Sequence, residues 1–199
     1  IKCLHYLTGK EIFIVDLIIE LPTDDQKKRG LDIVSKSIND SKKVDIIKEI
    51  TDPEIRIECL KYLHEDDCLK EIIINLPKEQ QRIDNLHYIS NSKDSSISDK
   101  IKAEIIATLP TLSNRIALLE QIGDDEAKAT IVISLPEEQR VEHVGKISSD
   151  RIKVRVITTL KTDRLKLDAS QTVTLPDCLL EIIKEMEHDE GKIELFKKI

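Results

Sequence analysis

A Leu-Pro step followed by a polar segment with an arginine recurs along the chain, and it restricts the fold more than any other feature. The copies lie at residues 135–141, 76–83 and 109–116, with a looser copy at 21–29. Repetition of this kind indicates that one supersecondary unit is used several times. A chain built in this way buries its apolar faces by stacking successive units against each other.

The arginines of these four copies, together with Arg56, define a helix. Aligning them gives the pattern Arg-φ-x-x-φ-x-x-φ, in which φ is apolar, and the arginines follow one another at intervals of 27, 26, 33 and 25 residues. Apolar residues at this step lie on one side of a helix, although a strict three-residue step leaves that side within a few turns. We therefore predict a helix of about three turns in each copy, called helix A. The five arginines are Arg29, Arg56, Arg82, Arg115 and Arg140.

A second apolar pattern follows each helix A after a polar break rich in Asn, Asp and Ser. These residues favour turns and helix N-caps. The second pattern places apolar residues at i, i+1 and i+4, as in Ile46, Ile47 and Ile50, and we predict another helix, called helix B. Its β-branched residues would also suit a strand. We favour the helix because no alternation of polar and apolar residues is sustained over these segments.

The Leu-Pro step marks the corner between helix B and the next helix A. Proline is favoured at the first position of a helix, and it disfavours helical geometry in the residue before it. We therefore predict that helix B ends near the leucine and that helix A begins at the proline. Such corners fold consecutive helices back on each other, which gives a stack of helical hairpins of roughly 26 residues each.

The repetition is less regular in two places. Residues 90–96 add a polar segment, for which we expect a mobile loop, and the polar break there extends to Asp99. After Leu160, Lys161 replaces the proline, residues 171–174 suggest extended backbone, and a final amphipathic helix is predicted from Asp177. We therefore divide the chain into a helical-repeat array at 1–160 and an irregular C-terminal cap, or the start of another module, at 161–199. Terminal repeats are commonly atypical because they close the core.

Paired short helices with these corners resemble the α-solenoid class that includes HEAT and armadillo proteins. The resemblance covers residues 1–160 and is one of architecture, because the unit is shorter than a tetratricopeptide or ankyrin repeat and lacks their motifs. It implies an all-α fold, a right-handed α-solenoid of about six short helical hairpins.

Composition weighs against several function classes. The net charge of −7 disfavours general nucleic-acid binding, which depends on phosphate neutralisation by Lys and Arg. Aromatic residues make up only 3% of the chain, which counts mildly against a small-molecule pocket. No apolar run approaches the roughly 18 residues of a membrane span, so no membrane role is predicted.

The four cysteines are Cys3, Cys59, Cys68 and Cys178, with no CxxC pair and no Cys-His spacing suited to zinc. Because Cys3 and Cys59 occupy equivalent repeat positions, we interpret them as small core residues. Free thiols suit a reducing compartment, so we expect a cytoplasmic location, including the cytosol of another cell after secretion. The chain begins at Ile1, within a repeat unit, and we therefore interpret the chain as a fragment of a longer protein.

The arginine row is the most regular polar feature, and it has two interpretations. We favour a structural role, in which each guanidinium reaches carbonyls at the end of a neighbouring helix B or pairs with nearby acids. The alternative is a binding surface that grips carboxylates or phosphates of a partner. A second row, made of Lys43, Lys102, Lys128 and Lys153, is more typical of a solvent-exposed face.

The sequence predicts no catalytic residue, metal site or cofactor. It contains no Gly-x-Ser-x-Gly motif and no glycine-rich phosphate loop. His5 and His87 share a repeat position with Lys61, which indicates an exposed position rather than a metal ligand. His64 and the acids at residues 65–67 crowd one loop, where helix capping explains the acids.

These observations favour a protein- or peptide-binding scaffold within a larger polypeptide, and they predict no enzyme. The main alternative is a non-catalytic architectural segment that positions an enzyme domain outside this chain. A catalytic domain within these residues ranks third. Nucleic-acid reading by helical repeats ranks fourth, because it needs a continuous basic face.

Overall fold

The computed structural model is all-α, as the sequence predicts. It describes residues 11–90 and 95–199, and these form fourteen α-helices and no strand. The helices are α1 Glu11–Ile19, α2 Asp24–Val34, α3 Asp40–Lys48, α4 Pro53–Cys59, α5 Asp66–Ile74, α6 Glu79–Asp84, α7 Ser95–Ala107, α8 Leu112–Leu119, α9 Asp125–Ile133, α10 Glu137–His143, α11 Asp150–Thr158, α12 Asp163–Ala169, α13 Pro176–Lys184 and α14 Asp189–Phe196.

The helices alternate between the two predicted types, with the even-numbered helices as helix A and the odd-numbered ones as helix B. Four helix A members end in a 3₁₀ turn: Leu60–Tyr62 after α4, Leu86–Ser90 after α6, Val144–Lys146 after α10 and Ser170–Thr172 after α12. A 3₁₀ helix has three residues per turn, so side chains three apart lie directly above one another. This change of helix type keeps a three-residue apolar step on one side of the helix. Leu60 and Leu63 are accordingly both buried.

The Leu-Pro corners differ from the prediction in where helix A begins. Pro22, Pro77 and Pro110 lie two residues before a helix, and Pro136 lies one residue before. The residue after the proline takes the N-cap position in the first three cases, as when Thr23 accepts a hydrogen bond from the Gln26 amide. The proline therefore belongs to the extended connection rather than to the first turn.

The chain divides into two compact units, Ile1–Ile101 and Lys102–Ile199. In the first unit, α3 packs against both α1 and α5, and α2 packs against α4. In the second unit, α11 packs against both α9 and α13, and α12 packs against both α10 and α14. In these pairs, a helix of one type packs against the next helix of the same type.

Isoleucine, leucine and valine from the two predicted patterns form the core. Ile46, Ile47 and Ile50 of the first unit are fully buried, as are Ile131 and Val132 of the second. Removing one such side chain from water contributes about 1.5–3 kcal/mol.

Several sequence predictions concern the less regular segments. The polar break at residues 90–99 is shorter than predicted, because α7 begins at Ser95. Residues 171 and 172 belong to the 3₁₀ turn Ser170–Thr172 rather than to extended backbone. Residues 91–94, and the N-terminal predictions for Cys3 and His5, lie outside the described residues. The predicted division at residue 160 falls within the second unit and stays a prediction.

Candidate functional site

Four of the five predicted arginines donate hydrogen bonds to main-chain carbonyls at or just after the end of a helix B. A structural role of the arginine row predicts such contacts. The alternative, a binding surface made of the arginines, stays a prediction. Arg29 lies exposed on α2. The bonds are Arg56 to Ile50 (2.6 Å), Arg82 to Leu76 (2.8 Å), Arg140 to Leu135 (2.8 Å) and Arg115 to Ser134 (2.6 Å).

A more specific arrangement holds successive hairpins together, and we call it the Asp-Lys clamp. An aspartate at the first position of a helix accepts hydrogen bonds from two consecutive amides in a later turn. A lysine at the fourth position donates to the carbonyl two residues before the first of those amides. The described residues contain four complete clamps: Asp24 and Lys27 on residues 49–52, Asp40 and Lys43 on 62–65, Asp150 and Lys153 on 172–175, and Asp163 and Lys166 on 185–188.

The clamp at Asp150 shows the geometry most clearly. The Asp150 carboxylate accepts hydrogen bonds from the amides of Thr174 and Leu175 at 2.7 and 2.8 Å. Lys153 Nζ donates to Asp150 Oδ1 at 2.9 Å and to the Thr172 carbonyl at 2.7 Å. Both charged residues are buried, with 8% of each exposed. Every charge in the clamp therefore has a hydrogen-bonded partner, which a buried ion pair requires.

Hydrogen bonding keeps the clamp aspartates ionised. Burial by itself opposes ionisation of Asp150, but the bonds from Lys153 and from Thr174 and Leu175 outweigh it and hold the pKa of Asp150 far below its ordinary value. The pKa of Asp40 is lowered in the same way, against desolvation, by Lys43 and the amides of the turn it holds. The pKa values of Asp24, Asp125 and Asp163 are lowered too.

The lysine row is therefore not the solvent-exposed face that the sequence favoured. Lys43 and Lys153 are only 4% and 8% exposed, and each ammonium is bonded to a carboxylate and a carbonyl. A lysine four residues into a helix reaches across to the next hairpin because its stem packs along apolar surface. Lys128 is partly buried and pairs with Asp125, whose carboxylate accepts the amides of Ser148 and Ser149.

A groove in the first unit lies beside the Asp40 clamp, whose Lys43 is part of its lining. Its volume is about 680 Å³, and its lining includes Asp32 and Lys36 from one hairpin and Lys61, Tyr62 and His64 from the next. The Tyr62 hydroxyl donates to Asp32 Oδ1 at 2.9 Å, and Lys61 Nζ lies 4.9 Å from the centre of the Tyr62 ring. Burial, and then the bond to Asp32, raise the pKa of Tyr62.

The pairing of a basic side chain with the following tyrosine recurs one hairpin later. The His87 and Tyr88 rings lie 4.3 Å apart between their centres, and His87 Nδ1 donates to the Asp84 carbonyl at 2.7 Å. Lys61 and His87 are exposed, as the sequence predicts for that position. The tyrosines are functional candidates that the sequence patterns described above do not predict. The available signal was that Tyr6, Tyr62 and Tyr88, all three in the chain, share one repeat position.

The described cysteines are core residues, which confirms the prediction for Cys59. Cys59, Cys68 and Cys178 are free and buried. Burial raises the pKa of Cys59 and of Cys68 to about 11, so neither is a thiolate near neutral pH. Among the residues that the structure describes, no three His, Cys, Asp or Glu side chains come together as metal ligands would.

Two further results concern membrane-spanning helices and similarity to known proteins. None of the helices in the described ranges combines the length and apolarity needed to cross a membrane. Comparison of the chain with family models, curated proteins and solved structures finds no match.

Proposed function

We propose that the chain is a helical-repeat scaffold that binds a protein or peptide partner. Its finer architecture in this proposal is a right-handed α-solenoid of about six hairpins. The ordered packing of like helices within each unit and the four Asp-Lys clamps support a repeat array. Repeat arrays present side chains from equivalent positions along one surface, and such a surface suits an extended partner.

The groove beside Tyr62 carries the proposal. Two successive hairpins line it, and it contains one of the few aromatic side chains of the chain. Lys36 and Lys61 are exposed, and neither forms part of an Asp-Lys clamp. Tyrosine provides a large contact area at little entropic cost, and it is enriched where proteins bind one another.

The chemistry of the groove favours an acidic peptide. Lys36 and Lys61 come from neighbouring hairpins, and His64 lies in the same lining. A peptide carrying carboxylates would pair with these groups and stack an apolar side chain on Tyr62. The net charge of −7 repels long polyanions such as nucleic acids but still permits pairing with a short acidic segment.

We infer a binding rather than a catalytic role for the chain. The raised thiol pKa values leave the described cysteines unsuited to nucleophilic attack. The architectural alternative, in which the array only positions a domain outside this chain, predicts that no partner depends on the groove.

Photo-crosslinking tests the proposal. A benzoylphenylalanine placed at Lys36 should crosslink a partner from a cytosolic lysate. Capture should fall at least about tenfold in a Lys61→Glu, Tyr62→Ser variant, because charge and stacking are both lost. The matched control is Lys184→Glu with Lys198→Glu, two exposed lysines of the second unit. Equal capture by the groove variant and the control would reject the proposal and favour the architectural role.

The arginine row is tested separately. An Arg82, Arg115 and Arg140 triple alanine variant should retain partner capture if its folded fraction is unchanged, because these guanidiniums are bonded to carbonyls. Loss of capture by a variant that is still folded would instead place the binding surface on the arginines.

A further inference from the structure

Helix α14 begins with the same two residues that form the clamp of α12. Asp189 and Lys192 occupy the first and fourth positions of α14, as Asp163 and Lys166 do in α12. Asp163 accepts the amides of Glu187 and His188 at 3.0 and 2.7 Å, and Lys166 donates to the Glu185 carbonyl. The α12 clamp thereby holds the corner that leads into α14.

A clamp can hold a corner only if the first of the two turn residues that donate to the aspartate has an amide hydrogen. Asp24 and Asp163 hold corners whose residues at that position are Thr51 and Glu187. The Leu-Pro corners have proline there, which has no amide hydrogen. Where the later corner has Pro77, the first position of the preceding helix A is Pro53 rather than aspartate. Aspartate at the first position of helix A thus occurs only with a corner without proline among the described helices, although α10 begins with Glu137 and its later corner, at Lys161, also lacks proline.

The clamp residues of α14 differ from those of α12 in exposure. Asp189 is exposed and Lys192 is partly exposed, and within the described chain neither side chain has a hydrogen-bond or ion-pair partner. On the same helix, Ile193 and Phe196 are 57% and 60% exposed. Large apolar side chains next to a polar recognition group are typical of an interaction surface.

We propose that Asp189, Lys192, Ile193 and Phe196 form a docking surface for a helical hairpin of a partner polypeptide. The four complete clamps define the chemistry of that hairpin. Its corner offers a carbonyl to Lys192 and, two and three residues later, two amides to Asp189. Its second helix covers Ile193 and Phe196. The corner has no proline at the first amide.

A second copy of this chain fits the surface less well. Its most N-terminal described corner contains Pro22 and lacks the first amide. Among the described corners without proline, those at Thr51 and Glu187 already bond to Asp24 and Asp163, and the corner at Lys161 joins α11 to α12 inside the second unit. The proposal goes beyond the groove function and does not depend on it.

A peptide of residues 39–63 tests the surface, because it contains a helix B, a clamped corner and a helix A. Fluorescein-labelled peptide should bind the whole chain saturably in an anisotropy titration. Binding should weaken at least about tenfold for Asp189→Asn and for Phe196→Ser, since charged hydrogen bonds and an apolar contact are lost. A peptide with Thr51→Pro should weaken similarly, and Asp177→Asn, an exposed aspartate of α13, is the matched control.

Joining the peptide covalently to the chain decides the test if the free peptide binds too weakly to measure. The same segment joined after Ile199 by a short Gly/Ser linker experiences an effective concentration on the order of millimolar. The Thr51 and Asp52 amides of the joined segment should then be protected from hydrogen exchange, and Asp189→Asn should remove that protection. Absence of protection in the tethered chain overturns the proposal, as does binding that Asp189→Asn leaves unchanged.

Two controls separate the possible explanations. Sedimentation of the chain alone should show no dimer that depends on Asp189, and such a dimer would assign the surface to a second copy instead. Lys36→Glu with Lys61→Glu should leave peptide binding at α14 unchanged, so failure of the groove proposal and failure of this one remain distinguishable.

Discussion

Asp150 does two things at once, because its carboxylate neutralises a buried lysine and caps two turn amides. Each function needs the other. An unpaired Lys153 would carry the cost of a buried charge, and the amides of Thr174 and Leu175 would lack an acceptor. We infer that this pair contributes more to the specificity of the contact than to its net strength. The clamp therefore fixes which turn lies against which helix.

Removing the Asp150 carboxylate should be costly. We expect Asp150→Ala to lower the free energy of unfolding by about 3 kcal/mol, because it leaves Lys153 buried without its counter-charge. Urea unfolding followed by circular dichroism measures the change. Asp168→Ala, at an exposed position of α12, should change stability by less than about 0.5 kcal/mol. A similar small effect at both positions would show that the clamp contributes little.

The arginines should behave as structural residues of moderate importance. Arg82→Ala removes the hydrogen bond to the Leu76 carbonyl and should cost about 1 kcal/mol. For a chain of this size, that corresponds to a decrease of about 2–4 °C in melting temperature. Arg29→Ala, at an exposed position, serves as the control in the same thermal scan. An unchanged melting temperature for Arg82→Ala, together with lost partner capture, would support the binding-row interpretation.

At the scale of the helices, the sequence predicts type and order better than boundaries. The apolar pattern after Arg56 requires one continuous apolar side, and the structure provides it by ending α4 in the 3₁₀ turn Leu60–Tyr62. A pattern with a three-residue step is consistent with either helix type over a single turn, so the change of type is not visible in advance. The predicted start of helix A is wrong by two residues where an N-cap follows the proline, and by one residue at Pro136, which is itself the N-cap.

The contacts between hairpins were the least predictable feature. Lys43 and Lys153 were interpreted as exposed because lysine is rarely buried. Their burial depends on a carbonyl supplied by a turn 19 residues away, at Tyr62 and Thr172 respectively. A recurrent Asp-x-x-Lys at helix starts was present in the sequence, but a pair three residues apart is equally typical of an exposed helical ion pair.

The proline rule at the corners gives a prediction at this scale. Thr51→Pro removes the amide hydrogen that Thr51 donates to Asp24. We expect the free energy of unfolding to fall by about 1–2 kcal/mol more than it does in Thr51→Ala. The alanine variant is the matched control because it removes only the hydroxyl bond to Asp24. Steric strain is a poor explanation for any loss, since Pro77 occupies the equivalent position of the next corner. Equal unfolding midpoints in urea for the two variants would contradict the clamp at α2.

At the scale of the molecule, the clamps make the free energy of unfolding depend on pH. The four clamp aspartates and Asp125 have lowered pKa values in the folded chain, so the unfolded chain binds protons more readily as the pH falls. Their contribution is fully present above the ordinary aspartate pKa of about 4 and is lost below it. We expect the free energy of unfolding to decrease by on the order of a few kcal/mol between pH 5 and pH 3.

The control for this acid dependence is an Asp40→Asn, Asp150→Asn double variant. It should be less stable than the unchanged chain at pH 7 but should lose less stability on acidification, because two of the titrating groups are gone. Urea titrations at several pH values provide the comparison. Parallel pH profiles for the two proteins would mean that other carboxylates cause the acid sensitivity.

Hydrogen exchange of the clamped amides most directly tests whether Asp-Lys clamps join the hairpins. The amides of Glu65 and Leu175 lie in turns, where exchange is ordinarily fast, yet each is bonded to a clamp carboxylate. We expect slow exchange at both positions by NMR. In Asp150→Asn, Leu175 should lose protection while Glu65 keeps it. Fast exchange at both positions in the unchanged chain would contradict the account.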